Sequence, residues 1–364
     1  MRNLNIGNLI VKYPIIQGGM GVGVSLSGLA AAVANEGGVG VISAAGLGLY
    51  YMQEANNYID ACIYGLKQEI RKARAKTKGI IGVNIMVAVS NFSDMVNISI
   101  EEKADIIFSG AGLPLDLPSY LKEDSITKLV PIVSSARATK IICEKWQANY
   151  NYLPDAIVVE GPMAGGHLGY KLEDLDKEEF SLEITLPKIL KEVRIFEEKY
   201  GKTIPVIAAG GIYYGEDIYK IMAIGASGVQ MGTRFVTTTE CDASIEFKQA
   251  YINAKEEDVV IIKSPVGMPG RAINNAFLES VKRGERHPTN CTHHCIKTCD
   301  VENSPYCIMK ALLSAYYGKL DRGFCFAGKN AYRAKEIISV NETFNRIKEE
   351  YEIYAQNQPN RFDV

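Results

Sequence analysis

The sequence predicts an α/β fold, a (β/α)8 TIM barrel followed by a C-terminal helical lid or satellite region. Three observations carry this. Eight short apolar, β-branched runs recur before residue 240. Longer stretches with helical patterning separate them. Seven of the eight runs end in glycine or paired small residues.

The runs are residues 13–19, 39–45, 80–86, 106–112, 129–135, 156–161, 205–211 and 228–233. Each is nearly continuous in apolar character rather than alternating, which suits strands buried on both faces of a parallel sheet. Residues 27–36 are Ala-rich and end at Gly37-Gly38, a helix C-cap signal. Residues 54–78 read as a long, basic, amphipathic helix. Residues 182–200 read as another, with Leu186, Ile189, Leu190, Val193 and Phe196 on one side. An open doubly wound sheet competes with the barrel. The strand count and the small strand ends favour the barrel. The barrel is expected over residues 1–240, with residues 241–364 packing back on it. Helices are expected there at 245–255, 309–317 and 331–338, with a polar loop at 282–290 and a frayed polar tail at 354–364.

Composition narrows the class. The chain has 364 residues, 47% hydrophobic and 23% charged, with a formal net charge of −2. That is the profile of a soluble globular protein with a sizeable core. Neither nucleic acid nor an anionic membrane is an expected partner. No apolar run is long enough to span a bilayer, and the start, Met1-Arg2-Asn3-Leu4-Asn5, lacks a signal-peptide core. A cytoplasmic location is expected, so the eight cysteines are read as thiols or metal ligands rather than disulfides.

In a (β/α)8 barrel the loops after the strands build the active face. The strand ends here include Gln17-Gly18-Gly19-Met20, Ser43-Ala44-Ala45, Asn84, Glu160-Gly161, Gly210-Gly211 and Gln230-Met231-Gly232-Thr233. A rim of such small residues leaves room for a large flat cofactor. The loops after the last two strands often bind phosphate, because backbone N–H groups without a β-carbon in the way close on its oxygens. Thr233 adds a hydroxyl donor. Arg234 pairs either with the anion or with a carboxylate, and the carboxylate is preferred. Gly19-Met20-Gly21-Val22-Gly23 is not a dinucleotide fingerprint, and no Walker-type lysine motif is present.

Ala164-Gly165-Gly166-His167 follows the sixth run. A histidine behind glycines is open to a ligand. The plainer alternative is a histidine that bonds a backbone carbonyl. The other three histidines, His287, His293 and His294, lie far downstream beside Cys291, Cys295, Cys299 and Cys307. That spacing offers ligands for zinc or an iron–sulfur cluster, and on a helix it would align the first three cysteines. Thiols packed as small hydrophobes are the plainer reading, and no metal ligand is assigned. Cys325 is expected in the core or at the barrel mouth. Residues 263–271 either reach back to the substrate face or merely connect.

Five segments taken together resemble the nitronate monooxygenase family (formerly 2-nitropropane dioxygenase) and its relatives, the FMN-dependent enoyl-acyl-carrier-protein reductases. They are 14–20, 82–86, 164–167, 205–212 and 230–235, in family order over about residues 10–240. The resemblance implies an FMN-containing barrel. Gln17, Gly18, Gly19 and Met20 would line the flavin, and the Asn84 amide would bond to its ring or ribityl region. Gly165 and Gly166 would lie against it. Gly210, Gly211, Gln230, Met231, Gly232 and Thr233 would hold the phosphate, and His167 would be catalytic. Glu160 would also lie at the cofactor; it falls where many nitronate monooxygenases carry Gln and enoyl reductases often carry Glu, which tilts slightly toward the reductase.

Flavin supplies the redox step, and an imidazole is suited to moving a proton near neutral pH. The expected activity is oxidation of alkyl nitronates with O2. NAD(P)H-dependent enoyl-thioester reduction and NAD(P)H:quinone or flavin reduction are the alternatives within the family. A flavin- or phosphate-binding protein without catalysis is the alternative outside it. Whether NAD(P)H is the electron donor, and whether the chain is a homodimer, stay open.

Overall fold

The computed structural model describes residues 1–287 and 290–358. Strands β1 (Leu4–Ile6) and β2 (Leu9–Val11) form an antiparallel hairpin. Leu4, Ile6 and Val11 point into the barrel interior beside Ile16, Val39, Phe108, Val130 and Val158. The hairpin therefore plugs the end where the barrel strands begin.

The barrel strands are β3 (Ile15–Gln17), β4 (Val39–Ser43), β5 (Ile80–Met86), β6 (Ile106–Gly110), β7 (Lys128–Val133) and β8 (Ile157–Glu160). After β9 (Gly166–His167), which lies outside the barrel, come β10 (Val206–Ala209) and β11 (Gly228–Met231). All eight barrel strands are parallel, and β11 pairs with β3 to close the ring. The predicted runs at 13–19 and 228–233 are longer than the strands they contain. Residues past Gln17 and Met231 turn over the rim.

Side chains alternate between two layers. Val41, Val158 and Ile207 belong to the interior cluster, while Ile42, Val159 and Ala208 pack outward against helices. The outward layer includes Leu29 and Val33 of helix Ser27–Asn35 and Ile70 of helix Tyr58–Lys76. Close packing constrains Gly40, where a β-carbon would fall 1.8 Å from the Ala30 carbonyl oxygen. Helix Tyr58–Lys76 starts later than the expected residue 54, because Asn57 caps it by accepting from the Asp60 N–H at 3.0 Å. Helix Leu182–Tyr200 matches its expected span.

Beyond residue 240 two expectations, the helix at 331–338 and the frayed tail, are corrected, and the conditional helical alignment of the cysteines does not arise. The cysteine segment is not helical. Its backbone bonds instead to the loop after β5, with Ser90 N–H to Cys295 O at 3.1 Å and Lys297 N–H to Ala88 O at 2.9 Å. Cys291, Cys295 and Cys299 therefore do not share a helix face. The helix expected at 331–338 is only a turn at Ala331–Arg333, because Ile338 bridges to Thr238. Ser339 then caps the long helix Val340–Gln356, which carries Tyr354 to Gln356 of the expected frayed tail. Residues 359–364 and two of the loop expected at 282–290 lie outside the described residues.

The sequence also gave no warning of a small antiparallel sheet. Its strands are β12 (Val259–Lys263), β13 (Pro269–Ile273) and β9, in that order. Among the described residues, no helix is long and apolar enough to cross a membrane.

Candidate active site

The rim at the strand C-termini encloses a cavity of about 460 Å³, within the size range of small-molecule and cofactor sites. Strand alternation decides which side chains enter it. Val41 is interior, so Ser43 is too; Val158 is interior, so Glu160 is too. On β5 and β11 the outward residues are Val83, Ile85, Val229 and Met231, which turns Asn84 and Gln230 inward. Glu160, Ala209 and Gln230 stand at one level, since Ala209 is in register with both.

The structure brings Gly18, Gly19, Met20, Asn84, Glu160, Gly165, Gly166, His167, Gly210, Gly211, Gln230, Met231, Gly232 and Thr233 together around this cavity. Gln17 is placed elsewhere. It is on the same outward face as Ile15 and is fully buried. Its Oε1 accepts from the Val41 N–H at 3.0 Å, and its Nε2 donates to the Gly18 carbonyl. The amide thus bridges β3 to β4, which share a single register pair.

The glycines differ in what they do. A β-carbon at Gly19 would lie 2.2 Å from Asn84 Cβ, so Gly19 makes room for that amide. At Gly165 it would lie 2.6 Å from the Ala327–Gly328 backbone, so this glycine serves close packing of two chain segments. At Gly166, with φ +76°, it would meet nothing within 4 Å and would stand in open space.

His167 is held by the small sheet. Its backbone is in register with Gly270, and its Nε2 is 2.7 Å from Ser264 Oγ. The expected alternative of a backbone carbonyl partner gives way to a serine hydroxyl. The ring packs edge-on to Phe326 with centroids 4.9 Å apart. Burial pushes the imidazole down to about 4, so it is neutral at neutral pH. Of the two readings of residues 263–271, the reach back to the rim is the one observed.

Glu160 is different in kind. Its carboxylate faces the cavity with no hydrogen-bond or ion-pair partner among the described residues. Burial pushes it up to about 7. The amides of Asn84 and Gln230 are likewise unpartnered. Among the described lining residues there is no lysine or arginine. Arg234 lies outside the lining, 3.2 Å from Glu350 of the C-terminal helix and over the Tyr213 ring at 4.7 Å. Its preferred carboxylate reading therefore fits.

Two contributions escaped sequence reading. Residues 326–330 lace the rim, with Gly328 N–H to Thr233 Oγ1 at 3.1 Å and Asn330 Nδ2 to Gly211 O at 2.6 Å. Thr233 keeps its own hydroxyl proton to donate. An apolar cover of Ile296, Ile308, Met309 and Leu312 closes the cavity from the cysteine-bearing region. Among the described residues, no three His, Cys, Asp or Glu side chains are placed to hold a metal ion. Cys295, Cys299 and Cys307 pack against this apolar cover, and Cys325 is buried in the main core.

The sequence pattern of the nitronate monooxygenase family matches residues 2–350. This chain belongs to the nitronate monooxygenase family. It is accordingly an oxidoreductase. A probable nitronate monooxygenase of Staphylococcus aureus (strain Newman) is 31% identical over 306 residues, covering 76% of this chain and 79% of that one. A (3aS,4S,5R,7aS)-5-hydroxy-7a-methyl-1-oxo-octahydro-1H-indene-4-carboxyl-CoA dehydrogenase of Mycobacterium tuberculosis (strain ATCC 25618 / H37Rv) is 29% identical over 276 residues, covering 76% and 67%. The structure of FabK from Thermotoga maritima superposes with a TM-score of 0.71 at 27% identity, covering 95% and 94% of the two chains. A nitroalkane oxidase from Streptomyces ansochromogenes shares the fold, with a TM-score of 0.72 at 21% identity over 94% and 97%.

Proposed function

We propose that this family member is an FMN-dependent nitronate monooxygenase that oxidises alkyl nitronates with O2. The observation that carries the reading is the set of unpartnered polar side chains, Asn84, Glu160 and Gln230, turned with His167 into one rim cavity. All three are half-buried at the cavity wall, where a ligand can reach them. These are suited to a ligand that offers several donors and acceptors over a broad face.

The residues fit FMN. Gly18, Gly19, Met20 and Asn84 would border the ring, and Gly166 leaves open space beside it. Gly210, Gly211, Gly232 and Thr233 would hold the phosphate through backbone N–H groups and one hydroxyl. A β-carbon at Gly232 would meet only the flexible Met20 side chain, at 3.3 Å. Bound FMN supplies the capacity to take electrons from the substrate. The remaining tasks fall to the chain. The neutral imidazole of His167 orients a nitro oxygen or takes the α-proton of a neutral nitroalkane. Ser264 fixes its ring, and Ile296, Ile308, Met309 and Leu312 give the cavity an apolar side.

The second reading is NAD(P)H-dependent reduction of an enoyl thioester. It is favoured by the cation-free lining, which offers an anionic substrate no counter-charge. Anaerobic mixing of the yellow enzyme with ethyl nitronate or with NADH separates the two. Bleaching by the nitronate, with O2 consumed once air is admitted, is the expected result. Bleaching by NADH alone would sink the monooxygenase reading.

A further inference from the structure

We propose that Glu160 sets the charge selectivity of the cavity: as a neutral acid it admits an anionic nitronate, and as a carboxylate it excludes one while leaving uncharged substrates unaffected. The inference rests on the reading of this cavity as the substrate-bearing flavin site.

The geometry carries it. Glu160 stands at the end of β8 on the interior face, and its carboxyl has no protein partner among the described residues. The surrounding elements supply no compensating positive charge. Strand β10 brings Ala209 to the same level, and β7 is followed by Ser134 in the lining. Tyr170 spends its hydroxyl on the Glu160 backbone carbonyl at 2.8 Å. His167 shares the cavity but is neutral. Arg271 lies behind the loop that follows β8. Its Nη1 is committed to the carbonyls of Pro162 and Ala164, both at 2.6 Å. The first residue pair of helix Leu182–Tyr200 contributes Leu182, packed on Gly161, and Glu183, which is exposed.

A nitronate in this space would therefore meet a carboxylate with nothing to offset either charge. Like charges held a few ångströms apart at a partly buried site repel, and one of them is disfavoured. Either the ligand stays out or the carboxyl takes a proton. Burial alone pushes that carboxyl up to about 7. The switch thus operates within the ordinary working range of pH. A neutral nitroalkane or a neutral enoyl thioester carries no charge at the reacting end and is indifferent to it.

Ethyl nitronate and nitroethane make a matched pair, since proton transfer at carbon is slow enough to present either form at one pH. The test titrates each, without oxygen, into FMN-loaded wild type and E160Q at pH 6 and pH 8, reading the flavin absorbance. With only the protonated fraction competent, the apparent Kd of the nitronate in wild type rises about tenfold between the two pH values. Nitroethane binding stays level. In E160Q nitronate binding no longer changes between the two pH values. The contrast between the two ligands in wild type stands without the variant. Yellow wild type whose nitronate affinity does not change with pH overturns the gate alone. So does an E160Q enzyme that keeps the wild-type slope, which would assign the titration to another group. Protein that takes up no FMN overturns the flavin-site reading, and the gate with it.

Discussion

His167 Nε2 lies 2.7 Å from the hydroxyl oxygen of Ser264, a residue 97 positions further along the chain. The serine sits between β12 and β13, and β13 itself pairs with the strand that carries the histidine. One small sheet thus delivers both partners. With Nε2 engaged, the ring plane is fixed by a hydrogen bond and by the edge-on contact with Phe326.

Ser264→Ala should therefore disturb orientation without disturbing the cofactor. A net hydrogen bond of about 1.4 kcal/mol corresponds to roughly a tenfold fall in kcat. FMN content should be unchanged. Steady-state kinetics and flavin absorbance on the same preparation check this. A variant with wild-type kcat would show that Ser264 does not position the imidazole.

The two titratable groups of the site act on stability with opposite signs. His167 is depressed to about 4, so its contribution is present above about 6.5 and is lost as pH falls toward about 4. Glu160 is raised to about 7, so its contribution is present below about 4.5 and is lost as pH rises toward about 7. Each spans about 2.5 pH units, or about 3 kcal/mol. In wild type the two slopes nearly cancel between pH 5 and 6. In E160Q only the histidine slope is left, and stability should climb with pH across that window. In H167N the carboxyl slope is left, and stability should fall. Urea melts at pH 5, 6, 7 and 8 read the slopes directly. Parallel profiles for all three proteins would refute both assignments.

The barrel was legible because its strands are buried on both faces and so are written as unbroken apolar runs. The rim was legible for the same reason: where Ile-Val-Val gives way to Glu160, or Ile-Ala-Ala to Gly210, the strand has ended. Gln17 misled because a polar residue in an apolar strand looks ligand-facing. Its parity with Ile15, rather than with interior Ile16, was the signal that it points outward. Ser264 and residues 326–330 could not be found locally. Ser264 arrives on the turn between β12 and β13, whose partner β9 has two residues and is too short to show any period, and residues 326–330 arrive by bridging to β13 at Ala272. The four-residue cysteine spacing would align on one face only if the segment were a helix. The loop after β5 instead takes up that segment's backbone hydrogen bonds.

Arg271 is buried, and its Nη1 joins the carbonyls of Pro162 and Ala164 between Glu160 and His167. Hydrogen bonds to a charged donor are worth about 1.5–3 kcal/mol each, and a buried carbonyl left unpaired costs a further share. Arg271→Met keeps the bulk and removes both. A loss of about 2–4 kcal/mol in stability is expected, together with a fall in kcat, because the loop fixes the spacing of the acid and the imidazole. Arg271→Lys should recover part of the stability but little of the geometry, since an ammonium lacks the planar fork. A methionine variant with wild-type melting and turnover would remove Arg271 from any positioning role.

The proposed phosphate cradle makes its sharpest demand at Gly232. This residue has φ −100°, which any amino acid adopts, so a side chain there carries no backbone penalty. Its β-carbon would meet only the flexible Met20 side chain, at 3.3 Å. Gly211 is a poorer site for the experiment. Its φ of +80° strains any replacement, and its β-carbon would strike Met163 at about 3.0 Å. Gly232→Val should therefore give a folded protein with an unaltered melting curve when stripped of cofactor. It should also come out colourless, and take up added FMN at least tenfold more weakly than wild type, because the branched side chain occupies space the phosphate needs. Full yellow occupancy in that variant would mean that the loops after β10 and β11 do not hold the phosphate.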